Sequence, residues 1–298
     1  MPGVAQIPYD EFSFFHENLS EWSLDLPIPI VRRLFVAVDG LRHVSALQWG
    51  DGLPELVLLH GGGQNAHTFD TVALALQRPL LAIDLPGHGH SDGSPYGGSA
   101  LVSHAVDVIR ALEQLITEPT PLVGMSLGGL TALLVAHERP DLVSSLVLID
   151  ITPGVNAEKA RHITDFVNGP TSFDNFDALL ERTVLHNPTR SISSLRRGIL
   201  HNALQQSDGS WVWRHQQHPR PEVGAPDAGD LWVKLSELTM PVTLIRAMAN
   251  GSVVDDADES EFVDRLPHGV VVHVENAGHS VQGDQPIELA SLLNEVCA

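Results

Sequence analysis

Short apolar runs alternate with longer amphipathic stretches along this 298-residue chain, and no internal repeat underlies the alternation. Residues 33–38 and 43–49 alternate apolar and polar positions as hairpin strands do, with Val38-Asp39-Gly40-Leu41 as the turn between them. Four runs follow with little polar interruption: Leu56–Leu59, Leu80–Ile83, Pro121–Val123 and Ser145–Ile149. A strand without alternation has to bury both faces, the condition found inside a parallel sheet. The stretches between these runs, Ala66–Leu76, Ser99–Ile116 and Leu127–Glu138, read as helices. Such β-α-β alternation predicts an open, doubly wound sheet with helices on both faces. Near the C-terminus the pattern resumes with a strand at Val242–Ile245, a helix over Ala257–Leu266, a strand at Val270–Val274 and a helix from Pro286 to Glu295.

Between Ile151 and Leu238 the pattern changes, because no strand-like run appears there. Helix-like pieces at Ala157–Val167 and Phe176–Leu185 are broken at Gly169-Pro170 and Asn187-Pro188, and a loop rich in Gly, Pro and His spans Ser207 to Gly229. A helical segment inserted between two sheet strands is expected to form a cap over the C-terminal edge of the sheet, where open α/β folds bind ligands. The expected organisation is a core of residues 1–150 and 239–298 with a helical cap over 151–238.

Composition narrows the function classes. With 43% hydrophobic residues, 25 Gly and 20 Pro, the chain can bury a sizeable core joined by many turns, which disfavours disorder, collagen and coiled coil. Seventeen basic residues, of which only Lys159 and Lys234 are lysines, face 37 acidic ones, for a formal net charge of −20. A surface of that sign repels nucleic acid and anionic lipid and leaves a small neutral or cationic partner open. The single cysteine, Cys297, can form no disulfide within the chain. The N-terminal residues lack the basic and apolar regions of a signal peptide, and no apolar run is long enough to span a bilayer, so a cytoplasmic location is expected. Nothing in the sequence speaks to oligomeric state.

Gly124-Met125-Ser126-Leu127-Gly128 carries the chemistry. It follows a buried strand and opens a helix, so Ser126 sits on a sharp turn whose strained backbone needs neighbours without bulk. The N–H groups at the start of the helix favour negative charge at the same spot. His60-Gly61-Gly62-Gly63 ends the third strand, where small residues let backbone N–H groups approach an oxyanion. Ala277-Gly278-His279-Ser280 follows the last strand and sets a histidine at the C-terminal edge of the sheet.

With these three segments and the Asp84-Leu85-Pro86-Gly87-His88-Gly89-His90-Ser91 loop, the chain resembles the α/β-hydrolase fold superfamily over almost its whole length. The resemblance is to a serine-nucleophile branch like the esterases and lactonases; members with aspartate at the elbow differ at position 126. It implies a mostly parallel eight-stranded sheet with helices on both faces and an inserted cap, acting without cofactor. By the same resemblance Ser126 attacks an acyl carbon and His279 moves the proton. The N–H groups of Leu127 and Gly62, with Gly63 as the alternative, stabilise the oxyanion.

The acid partner of His279 departs from the usual pattern. In many relatives it sits just beyond strand seven, but here Arg246-Ala247-Met248-Ala249-Asn250-Gly251-Ser252-Val253-Val254 holds no carboxylate. Asp255 and Asp256 come next, at the start of a helix, where capping explains them without catalysis. Asp150 ends the strand Ser145–Ile149 at the C-terminal edge, one strand beyond the nucleophile, and is the preferred acid; Asp255 and Asp256 remain alternatives. Of the acidic residues, the proposed site motifs contribute Asp84 and Asp150 alone.

Other residues weigh less. His60, His88 and His90 read as loop-bracing histidines, and no metal-ligand spacing is present. Trp211 and Trp213 either anchor the cap or line a pocket beneath it, while Phe12, Phe14 and Phe15 read as packing residues or an exposed contact. The leading expectation is a serine hydrolase that cleaves a small carboxylic ester or lactone through an acyl-enzyme. The alternatives are C–C bond hydrolysis or perhydrolysis by the same residues, or a catalytically silent relative that binds a small ligand.

Overall fold

In the computed structural model, which describes residues 6–93, 99–156, 158–215 and 227–298, the apolar runs become strands of one sheet. The first half holds α1 (Phe15–Glu21), β1 (Val31–Ala37), β2 (His43–Trp49), β3 (Val57–Leu59), α2 (Asp70–Leu76), β4 (Leu80–Ile83) and α3 (Ala100–Leu115). Then come β5 (Thr120–Met125), α4 (Leu127–Glu138), β6 (Val143–Ile149), α5 (Arg161–Val167), β7 (Ser172–Phe173), α6 (Phe176–His186) and α7 (Ile192–Asn202). The chain ends with β8 (Ala203–Gln205), β9 (Trp211–Trp213), α8 (Ala228–Ser236), β10 (Val242–Ala247), α9 (Asp256–Arg265), β11 (Val270–Val274), α10 (Val281–Asp284) and α11 (Pro286–Val296).

The main sheet has eight strands in the order β1-β2-β4-β3-β5-β6-β10-β11. β1 pairs antiparallel with β2, and β2 with β4; all other neighbours are parallel. Burial on both faces explains the unbroken runs. Leu146 and Leu148 of β6 point into one apolar core with α3, α4, α8 and α9, whereas Val147 and Ile149 point into a second core with α2 and α11. The parallel strands therefore deliver their following loops to one edge, and every motif singled out above lies there.

The segment between β6 and β10 differs from its expected all-helical form, because β7, β9 and β8 make a small antiparallel sheet. Strands of two or three residues are too short to show alternation, and residues that serve them also flank helices. α8 falls in the same stretch of sequence, yet Leu231, Trp232 and Leu235 pack it into the larger core. Ala157, residues 216–226 of the expected Gly/Pro/His loop and residues 1–5 lie outside the described residues.

An N-terminal strap joins this segment to the sheet. Ile7 N–H donates to Gln205 Oε1 at 2.8 Å, and Tyr9 Oη lies 2.9 Å from His201 Nδ1. Phe14 is buried in a third apolar cluster with Leu179, Ile199, Leu200 and Trp211. Phe15 is buried against Trp49, and Phe12 packs at its edge, so all three phenylalanines are packing residues. Trp211 anchors the segment, while Trp213 is partly exposed and lines a cavity beneath it. The two tryptophans thus divide the roles left open by the sequence.

Candidate active site

Ser126 stands between β5 and α4 with φ +53° and ψ −120°, a backbone conformation strained for any residue with a side chain. The flanking glycines follow from crowding. A Cβ on Gly124 would collide with the Gly128 carbonyl, and one on Gly128 with the carbonyls of Leu59 and His60. The elbow can therefore tuck against β3 only without those side chains.

The loop after β3 approaches the elbow from the other side. His60 is fully buried, accepts the Leu85 N–H at Nε2 (2.9 Å) and pairs through Nδ1 with the Gly61 carbonyl (2.8 Å). A backbone N–H on Nε2 and a carbonyl on Nδ1 fix the neutral tautomer with hydrogen on Nδ1, and burial lowers the pKa in the same sense. His60 braces the loop. A Cβ on Gly62 would lie 3.8 Å from Leu127 Cδ2, whereas one on Gly63 would face Val167 and His215. The backbone N–H groups of Gly62 and Leu127 have no hydrogen-bond partner among the described residues.

Asp150 directly follows β6, has φ +46° and is wholly buried at 0% exposure. Its Oδ1 accepts the Ala247 N–H (3.1 Å) and the Ser252 hydroxyl (2.6 Å). Its Oδ2 accepts the Val253 N–H (3.0 Å) and His279 Nδ1–H (2.9 Å). Four donors on a buried carboxylate fix its orientation. The far nitrogen, His279 Nε2, is buried without a hydrogen-bond partner among the described residues. It lines a cavity of about 510 Å³ together with Ser126.

The alternative acids lie elsewhere. Asp255 caps α9, accepting the Asp258 N–H at 3.0 Å, and pairs with Lys159 at 2.8 Å. Asp256 is 97% exposed on its side chain and pairs with Arg246. Asp84 is buried away from the cavity lining: it accepts the N–H groups of Ala66 and His90 and pairs with Arg33 at 2.7 Å. The acidic residues that do line the cavity include Asp70 and Asp284, which corrects the expectation that Asp84 and Asp150 alone would supply them. Asp70 was missed because it falls inside the helical run Ala66–Leu76, and Asp284 because it lies between the His279 motif and the last helix.

The roof of the cavity comes from the segment between β6 and β10. Phe166 and Trp213 contribute aromatic surface, and α7 turns its polar side inward with Ser194, Arg197, His201 and Asn202. Spacings of three and four between Ser194, Arg197 and His201 place them on one face of α7, a signal readable in the sequence. Below this roof Asp70 and Glu11 hold His67 charged. Burial opposes that charge, but Asp70 at 3.0 Å and Glu11 at 3.2 Å outweigh it and raise the His67 pKa to about 9. His67, Asp70 and His201 come close enough to suggest metal ligation. The two rings, however, stack at 3.8 Å and 11°, so their nitrogen lone pairs lie in separate parallel planes and cannot converge on one ion. His88 is buried with Nδ1 near the Pro86 carbonyl, and His90 faces Asp84, consistent with bracing roles.

Comparison with known proteins agrees with this architecture. The chain is 39% identical over 294 residues to esterase Rv0045c of Mycobacterium tuberculosis, covering 96% of this chain and 95% of that protein. A solved structure of that esterase superposes with a TM-score of 0.83 at 38% identity, over 97% of this chain and 99% of the other. The sn-1-specific diacylglycerol lipase ABHD11 of Mus musculus is 29% identical over 259 residues, 78% of each chain. The sequence profile of the alpha/beta hydrolase family matches residues 56–292. The chain belongs to the alpha/beta hydrolase family.

Proposed function

We propose that the protein is a serine hydrolase that cleaves a small-molecule carboxylic ester or lactone through an acyl-enzyme. The observation that carries this reading is the Asp150–His279 hydrogen bond at 2.9 Å, which leaves an unpartnered Nε2 in the cavity that also holds Ser126. Asp150 holds the hydrogen on Nδ1, so Nε2 is the basic nitrogen and takes the proton as Ser126 Oγ attacks the acyl carbon. The N–H groups of Leu127 and Gly62 receive the oxyanion; Gly62 is preferred to Gly63 because it abuts Leu127. His279 then protonates the departing alcohol, and water repeats the sequence to release the acid.

The segment from residue 151 to the start of α8 acts in this reading as a cap whose inner face sets specificity. The 39% identical relative being an esterase supports the ester class. Asp150 also weakens the case for a silent ligand binder, which rested on the missing carboxylate after β10.

A series of p-nitrophenyl esters of increasing acyl length, run beside γ- and δ-lactones, tests the reading. Turnover of esters or lactones that disappears in Ser126→Ala is expected. Ester turnover that persists in Ser126→Ala, or no turnover of either class by the folded protein, overturns it.

A further inference from the structure

The cavity contains a cation that pairs with no carboxylate among the described residues. Arg190 lies just before Ser191, the N-cap of α7, and lines the cavity at the same face as Ser194. Its Nη2 donates to Ser194 Oγ at 2.6 Å. No carboxylate comes within ion-pair distance of it among the described residues, and the bond to Ser194 is the only side-chain hydrogen bond it makes to them. This contrasts with Arg197, seven residues on, which pairs with Glu21 and Glu17. It contrasts also with Arg33, which pairs with Glu11 and Asp84.

The neighbouring acids are otherwise engaged. Asp284 accepts the Gly278 N–H at 3.0 Å and reaches Arg190 only as a more distant charge. Glu21 is held by Arg197 and by the Ser191 hydroxyl. Burial pulls the Arg190 pKa down, an effect that these distant carboxylates only partly offset. A guanidinium remains protonated regardless, so the site is a withdrawn positive charge with a free hydrogen-bonding edge.

Arg190 lines the same cavity as Ser126 and His279. The Arg190 guanidinium packs where a Gly283 side chain would stand, and Gly283 is four residues beyond His279. Glycine at 283 is what lets the guanidinium come this close to α10. An enclosed arginine that spends one Nη2 hydrogen on Ser194 keeps a second edge of its planar fork for a carboxylate, which it can bind through two parallel N–H···O bonds.

We propose that Arg190, supported by Ser194, forms a carboxylate subsite, and that the ester this protein hydrolyses carries a carboxylate group. The proposal rests on the reading of Ser126 as nucleophile and narrows its substrate class. The net charge of −20 does not oppose it, because surface charges are screened beyond about 8 Å at physiological salt while Arg190 acts within the cavity.

Matched acid and methyl-ester substrates test the proposal on both sides of the scissile bond. The acyl arm compares mono-p-nitrophenyl glutarate with its methyl ester, and the alcohol arm compares 4-acetoxybenzoate with methyl 4-acetoxybenzoate. In one arm the wild type is expected to favour the free acid at least tenfold in kcat/KM, mainly through KM. Arg190→Gln should reduce that ratio at least tenfold, and Arg190→Lys should retain part of it. No preference for the acid in either arm, or a preference that survives Arg190→Gln, overturns the subsite. Binding supplies a readout independent of turnover: glutarate should raise the Tm of the wild type and not of Arg190→Gln. If no ester is hydrolysed but this Tm difference is present, the hydrolase reading fails and the subsite stands; if glutarate shifts neither protein, the subsite fails.

Discussion

Asp150→Asn removes the charge beneath His279 while keeping the shape of the side chain. The wild-type carboxylate receives two donors on each oxygen, so the amide must present its NH2 to a pair of donors whichever way it turns. With NH2 toward Ala247 and Ser252, the Ser252 hydroxyl can turn to the Val254 carbonyl at 3.1 Å and accept, but the Ala247 N–H loses its partner. With NH2 toward Val253 and His279, the Val253 N–H is orphaned and His279 must carry its hydrogen on Nε2, the wrong tautomer for a base. Either orientation strands one buried N–H, at about 1–3 kcal/mol, which predicts a Tm drop of roughly 2–8 °C with the fold retained. Either also removes the attraction between carboxylate and imidazolium, about 4 kcal/mol at an effective dielectric near 20. That corresponds to roughly a thousandfold in kcat, and more where the wrong tautomer is populated. Steady-state hydrolysis of the best p-nitrophenyl ester, with circular dichroism to confirm folding, measures both quantities. A folded Asp150→Asn variant within tenfold of wild-type kcat, or a larger loss in Asp255→Asn or Asp256→Asn, would refute the reasoning.

Three further outcomes follow from packing and charge. Gly128→Ala sets a methyl group against the carbonyls of Leu59 and His60 and should destabilise by about 3 kcal/mol or more, seen as a lowered urea midpoint; a midpoint equal to wild type contradicts the close approach. Trp211→Ala empties the cluster of Phe14, Leu179 and Leu200 and should cost about 3–5 kcal/mol, with faster amide exchange in α6 and α7 than in the main sheet; uniform exchange would contradict that placement. Glu11→Gln should be most damaging where His67 is charged and Glu11 ionised. The His67 pKa rises from 6.5 to about 9 on folding, so its pairing stabilises fully below pH 6.5 and fades as pH climbs through about 9. Burial works against ionised Glu11, but His67 and Arg33 prevail and lower its pKa from 4.5 to about 2, so its contribution is full above pH 4.5 and fades as pH falls through about 2. The Tm difference between wild type and Glu11→Gln is therefore expected to peak between about pH 5 and 6.5 and shrink above pH 9. A difference independent of pH would contradict the pairing.

The main sheet was legible because each parallel strand is a run buried on two faces, as with Leu146–Ile149, and each run is followed by a turn with its own steric signature. Ser126 was legible for the same reason: Gly124 and Gly128 are demanded by backbone crowding, which a sequence records directly. Asp150 was readable as a strand-end carboxylate and preferred to Asp255 on that ground, but its partners Ala247, Ser252, Val253 and His279 come from about a hundred residues away, so their convergence on it leaves no local trace. The sheet of β7, β8 and β9 was hidden by strands of two or three residues. Arg190 was hidden by a different cause. Its interest lies in the anion it lacks, and a missing tertiary partner leaves no trace in local sequence.

Covalent labelling with a fluorophosphonate, read by intact mass and peptide mapping, tests the assignment of Ser126 as nucleophile most directly. One adduct per chain is expected at neutral pH, mapped to Ser126, absent in Ser126→Ala and strongly slowed in His279→Ala. No adduct on the folded wild-type protein, or an adduct that persists in Ser126→Ala, would contradict the account.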